Sequence, residues 1–272
     1  NAHFQNVSKR NITAVNLSFH CNEVNKSSDK NPLLVYHGLF GSKFNWRVLS
    51  TKLTEATLRK VYTLDVRDHG ESPHTGILTY ETMAIAEKFT NWSQFRWSCN
   101  VSPEKVEKLI VVDIGIKTLS TSPQSSIVNI NLVKAMKEAI GSVPSGLSLS
   151  ESRRKVDEHL KSFVPDEFVR GFLLMNLKKS NEGIAWKYNL SAIERFLRDN
   201  SLNDLKLCAP FKGEVLVIHG GMSDYVRTDD YESIREWFPN CKFECIPEGN
   251  HYLHIQCQQE FLKRVLLFIN ST

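Results

Sequence analysis

The chain has 272 residues, of which 41% are hydrophobic and 24% charged, and a formal net charge of +4. That size and balance fit one large globular unit or a core carrying an insertion, and exclude a disordered or fibrous chain. The positive charge is mild and not gathered into a stripe, which argues against nucleic acid as a partner, and no apolar run reaches the roughly 18 residues of a membrane-spanning helix.

The chain opens NAHFQNVSKR, without Met or an apolar signal core. It reads as a fragment or processed form in which a targeting peptide is not visible. Six cysteines (Cys21, Cys99, Cys208, Cys241, Cys245, Cys257) lack zinc-type spacing and read as reduced intracellular thiols. Asn-X-Ser/Thr triplets at Asn6, Asn11, Asn16, Asn25, Asn91, Asn100, Asn189 and Asn270 point the other way, towards a secreted glycoprotein.

In chain order, Asn11 to His20 alternates apolar and polar residues, as a half-exposed strand does. Leu33 to Tyr36 is apolar throughout, the pattern of a strand buried on both faces in a parallel sheet. It runs into His37-Gly38-Leu39-Phe40-Gly41, a glycine-flanked loop. Asn45 to Thr57 carries a helical stripe, Lys60 to Arg67 reads as a strand followed by the tight loop DHGESPH, and Tyr80 to Phe89 reads as a helix. Ser102 to Lys108 looks like a helix end, and Leu109 to Ile114 is a second apolar strand with Asp113 near its C-terminal end. From 116 to 205 the pattern becomes almost wholly helical. Alternation resumes with Val215 to Ile218, a helix around Tyr231 to Phe238, a short strand over Lys242 to Pro247 and an amphipathic helix to the C-terminus. These patterns divide the chain into a core over 1–115, a helical cap over 116–205 and a second part of the core over 206–272. Strands alternating with helices give an α/β fold, a mostly parallel sheet covered on both faces, and ligands bind beyond the C-terminal ends of its strands.

The strand ends carry HGLFG, Asp113, Asp224 and His251. In chain order these are a loop able to offer backbone N–H groups at Leu39 and Phe40, an acid, and a late histidine. That is the order of α/β hydrolases once a nucleophile precedes the acid. A fixed N–H dipole stabilises the charge developing on a substrate carbonyl, and a histidine on a turn takes a proton from a nucleophile. His254 is the alternative base. Either Asp113 or Asp224 suits the acid that holds the imidazole tautomer.

The strings HGLFGSKFNW, LDVRDHGESPH, TYETMA, PEKVEKLIVVDI, GGMSDYV and GNHYLH resemble the α/β-hydrolase domain-containing protein 11 family over essentially the whole chain. The resemblance implies the α/β-hydrolase fold with a helical cap, and a serine hydrolase of carboxylic esters, acylglycerols included. It also implies a mitochondrial location, a small acyl-ester or lipid-like substrate, no cofactor, and Asp113 rather than Asp224 as the acid.

One departure matters. The family's Gly-His-Ser-Met-Gly-Gly elbow is not in this sequence, and neither is any other Gly-x-Ser-x-Gly; Ser42, Ser72, Ser145 and Ser223 have glycines nearby but none fits. Only 29 residues separate Tyr80 from Ile110, where a helix, strand, elbow and second helix take roughly 45. The central nucleophile strand and its elbow read as deleted. Phe95 to Cys99 alternates and offers a substitute strand, with Ser98 or Cys99 near the nucleophile's place. Impaired ester hydrolysis is the leading expectation. The alternative is a non-catalytic protein of the same fold that binds an apolar ligand or a protein partner.

Overall fold

The computed structural model describes residues 15–25, 29–79, 86–87, 106–114, 123–198 and 210–271. Strands β1 (Val15–Asn16), β2 (Phe19–Asn22), β3 (Leu33–Tyr36) and β4 (Val61–Leu64) come first in the chain. β4 lies between β2, which it pairs antiparallel, and β3, which it pairs parallel with Leu33 opposite Val61. A 3-10 turn at Lys43–Trp46 leads into helix α1 (Arg47–Thr57), whose Leu49 and Leu53 face the core. Leu58 ends this helix in the left-handed region, donating its N–H to the Thr54 carbonyl. Strand β5 (Ala86–Glu87) pairs parallel with β1. A helix was expected over 80–89. At these two residues the pairing with Val15 and Asn16 overrides the helical pattern; residues 80–85 and 88–89 lie outside the described residues.

A second three-stranded sheet joins β6 (Lys108–Val112), β9 (Glu214–Gly220) and β10 (Cys241–Ile246), all parallel, with β9 in the middle. Lys108 thus opens a strand rather than closing a helix. β9 explains the continuous apolar run in the sequence. Successive side chains point to opposite faces, so Leu216 and Ile218 pack against α1 and helix α8 (Gln258–Asn270), through Phe261, Val265 and Phe268. Val215 and Val217 go to the other face, with Val226 and Ile234 of helix α6 (Tyr231–Arg235). Each such fully buried side chain contributes about 1.5–3 kcal/mol of transfer free energy. Leu33 and Val35 of β3 and Ile110 and Val112 of β6 join the α1–α8 layer, so both three-stranded groups share one core. β3 and β6 are only half-buried, against the full burial read from their sequences. Among the described residues each of them pairs on one side only.

Residues 123–198 form helices α2 (Pro123–Gly141), α3 (Leu149–Leu160), α4 (Glu167–Leu174) and α5 (Leu190–Arg198). Ser148 and Glu151 close a capping box at the start of α3, and the Asp166 carboxylate takes the first N–H groups of α4. The block is not wholly helical. Strands β7 (Leu177–Ser180) and β8 (Gly183–Trp186) make an antiparallel hairpin turning at Asn181-Glu182, with Gly183 at φ 116°. Trp186 anchors it through its indole N–H to the Met136 carbonyl of α2 at 2.8 Å. The core of this block takes in Phe40 and Leu78 and packs against Leu39 and Tyr252, so the helices sit over the loops at the strand ends. Among the described residues no helix is long and apolar enough to cross a membrane.

Candidate active site

β6 ends at Val112, and the next residue, Asp113, takes a left-handed backbone with φ 47°. Asp is one of the few residues that tolerates this. Its N–H still reaches the Ile218 carbonyl of β9 at 2.8 Å, so the turn stays welded to the sheet while the side chain swings under the strand ends. The carboxylate is completely buried. Oδ1 accepts the Gly220 N–H at 3.2 Å. Oδ2 accepts the Ser223 hydroxyl at 2.5 Å and sits 2.8 Å from His251 Nδ1. A buried carboxylate is tolerable only when its lone pairs are occupied in this way.

His251 follows β10 and the Gly249-Asn250 turn. Strand ends here approach backbone to backbone: Met222 N–H donates to Gly249 O at 2.9 Å and Gly221 N–H to Ile246 O at 2.8 Å. A Cβ on Gly220 would stand 2.3 Å from that Gly249 oxygen, so only glycine lets the His251 turn close on β9. With Nδ1 on the carboxylate, the Nε2 side faces outward; the side chain is 39% exposed, and Nε2 bonds to no described residue. The ring lies between Tyr225, stacked at 3.9 Å and 19°, and the edge of Tyr252 at 5.3 Å.

The two alternatives from the sequence stand elsewhere. The Asp224 carboxylate is 86% exposed and paired with Arg227 at 2.5 Å, away from His251. His254 is stacked on Trp46 at 4.4 Å, and burial pushes its pKa down to about 4. Ser98 and Cys99 lie outside the described residues.

The HGLFG loop is built from its flanks. Burial lowers the pKa of His37, whose Nδ1–H donates to Gly38 O at 2.8 Å while Nε2 accepts the Val66 N–H at 3.1 Å. That neutral imidazole ties the loop to the segment after β4. Gly41 N–H closes onto Gly38 O at 3.0 Å, and Phe40 is held at φ 59°. A bulky residue there is strained, and Tyr188, just past the β7–β8 hairpin, restrains it by donating its hydroxyl to the Phe40 carbonyl. The N–H groups of Leu39 and Phe40 donate to no described residue. Behind the loop, Asp65 accepts the Lys43 N–H and ammonium, each at 2.7 Å, and the Glu71 N–H at 2.9 Å. The Lys43 ammonium also reaches Glu71 at 2.7 Å. These contacts join the HGLFGSK segment to the RDHGES loop.

Sequence reading singled out Asp113, His251, Leu39 and Phe40, and did not single out Ser223, Tyr225 or Tyr188 as parts of the site. Ser223 and Tyr225 were marked only by their place in GGMSDYV, directly after a buried strand, which does not report that they hold another side chain; Tyr188 carried no signal, because its partner is a main-chain oxygen 148 positions away.

No family model matches the chain. Curated relatives do. It is 32% identical over 279 aligned residues to the sn-1-specific diacylglycerol lipase ABHD11 of Danio rerio, covering 96% of this chain and 85% of that protein. To the protein of the same name from Xenopus laevis it is 33% identical, over 88% of this chain and 80% of the relative. A putative esterase/lipase of Haemophilus influenzae is 25% identical over 100% of this chain and 92% of its own. Among solved structures, a marine microorganism esterase superposes with a TM-score of 0.72 at 27% identity, over 94% of this chain and 100% of that one.

Proposed function

Starting from a chain that belongs to the ABHD11 family of α/β-hydrolases, we propose that it acts on small-molecule carboxylic esters by acyl transfer. The observation that carries this reading is the His251–Asp113 pair at 2.8 Å, with a fully buried carboxylate and an outward-facing Nε2. In the proposed mechanism His251 is the general base. It removes the nucleophile's proton and later returns it to the leaving alcohol. Asp113 keeps the proton on Nδ1 and favours the imidazolium that forms. Leu39 and Phe40 offer N–H groups to the oxyanion of the tetrahedral intermediate. The apolar layer of Phe168, Phe172 and Tyr252 over the site suits an acyl chain. The ABHD11 relatives are named as diacylglycerol lipases, which makes an acylglycerol the first substrate to try.

The nucleophile belongs to the stretch between Tyr80 and Ile110. In that stretch Ser98 is the candidate, and the activity is weak relative to a chain with a full elbow. A second reading has its own observation: no Gly-x-Ser-x-Gly occurs anywhere in the sequence. It is a non-catalytic member whose layer over the site holds an apolar ligand or a protein partner. Fluorophosphonate labelling with peptide mapping separates the two. Labelling that disappears in His251→Ala and maps to Ser98 supports acyl transfer. A cooperatively folded chain that takes up no label removes the enzyme reading and leaves the binding one.

A further inference from the structure

A carboxylate on Nδ1 fixes one direction of an imidazole and leaves the ring free to tilt about the line joining the two atoms. Proton transfer at Nε2 needs the whole plane fixed, because misalignment at the reacting atom costs rate steeply. Among the described residues, Tyr225 stacks on a face of the His251 ring, at a centroid distance of 3.9 Å and an interplanar angle of 19°. Tyr252 meets the ring edge-on, at 5.3 Å and 73°.

Tyr225 is itself held. Its N–H donates to Ser223 Oγ at 3.2 Å, and that same hydroxyl donates to Asp113 Oδ2 at 2.5 Å. Gly220, at the start of the loop, donates its N–H to Asp113 Oδ1. One segment, Gly220 to Tyr225, therefore grips the acid with two donors and lays an aromatic face on the base. The stretch that contains the other acidic candidate, Asp224, thus serves as a clamp on the pair, while the Asp224 carboxylate itself points away to Arg227.

We propose that Tyr225 is a positioning residue of this site: its ring face sets the plane of the His251 imidazole and favours the imidazolium formed during proton transfer. Among the described residues, the groups facing that imidazole are Asp113, Tyr225 and Tyr252, with His254 acting on it through space. An aromatic face attracts a cation through its quadrupole, and a flat ring restricts tilt in a way an aliphatic side chain of equal volume does not. The purpose assigned to the clamp rests on the acyl-transfer reading; its geometry does not.

The test is side-chain proton and nitrogen NMR of the full chain, with urea unfolding and ester turnover measured in parallel. Wild type and Tyr225→Phe are expected to show the far-downfield Nδ1 proton of the His251–Asp113 bond in slow exchange. Tyr225→Leu and Tyr225→Met broaden it away while unfolding as cooperatively as wild type. With an active chain, the Leu variant loses about tenfold in kcat with KM within twofold, and Phe restores it. A Leu or Met variant that keeps the Nδ1 proton at its wild-type exchange rate overturns the assignment. So does loss of cooperative unfolding in both, which would make Tyr225 a core residue instead. If wild type turns over no ester and the NMR pattern holds, the clamp stands and the acyl-transfer reading fails.

Discussion

His254 makes the acid sensitivity of this fold a calculable quantity. It is stacked on Trp46 and near Phe261, its Nδ1 has no hydrogen-bond partner among the described residues, and burial is the first cause of a pKa lowered from 6.5 to about 4. The unfolded chain protonates this ring near 6.5 and the folded one resists until about 4. As pH falls through that window the unfolded state binds the extra proton, so stability rises with pH and is lost on acidification. Between pH 7 and pH 4.5 the linkage relation gives a loss of about 2 kcal/mol from this one group. His254→Phe keeps an aromatic ring against Trp46 and removes the titration. Urea unfolding at the two pH values measures it directly. The variant is expected to lose about 2 kcal/mol less than wild type on going to pH 4.5. Parallel losses in the two chains would falsify the argument, and would mean that the folded ring protonates as readily as the unfolded one. His69, lowered to about 3 by burial, adds a loss of the same sign, common to both chains.

Other outcomes follow from the site. Gly220→Ala places a Cβ 2.3 Å from the Gly249 carbonyl; overpacking against backbone costs about 1–3 kcal/mol or more, and thermal unfolding is expected to show it together with loss of the His251–Asp113 bond. Where the wild type labels with fluorophosphonate, Asp113→Asn is expected to slow labelling by about 10³–10⁴-fold, and Asp224→Asn to leave it within about twofold; equal losses in both would remove the assignment of the acid. Lys43→Met leaves Asp65 buried without its cation, and urea denaturation is expected to report about 3–5 kcal/mol lost; a change under about 1 kcal/mol would show that the carboxylate does not depend on its cation.

Elements whose stability comes from their own pattern were readable in the sequence. β9, with four consecutive apolar residues serving two faces, and α8, with its stripe of Phe261, Val265 and Phe268, needed no tertiary information. The β7–β8 hairpin was missed because its two strands are only 4 residues each and lie between longer helical stripes; Asn181-Glu182-Gly183 was the turn signal that marked it. The half-burial of β3 and β6 was not readable, since composition reports how apolar a strand is and not how many neighbours pair with it. In the site, His251 was marked by its place after a short strand and a glycine, whereas Asp113 stood level with Asp224 at the strand ends and only the family resemblance favoured it. Ser223 and Tyr225 were not legible, because their part is to hold another side chain, and no spacing rule encodes a stack or a shared hydroxyl.

Asp65 gives the loop pair a consequence for engineering. It takes the Lys43 N–H and ammonium on one side and the Glu71 N–H on the other, and His37 reaches across to the Val66 N–H. The HGLFGSK and DVRDHGES stretches are therefore a single replaceable part supplied in two instalments of chain. A chimera that imports only one instalment from a relative sets a foreign cradle against a resident carboxylate and forfeits the alignment of Leu39 and Phe40. Exchanging both, with Ser18, whose hydroxyl also receives the Lys43 ammonium, moves the Leu39-Phe40 loop with the contacts that hold it.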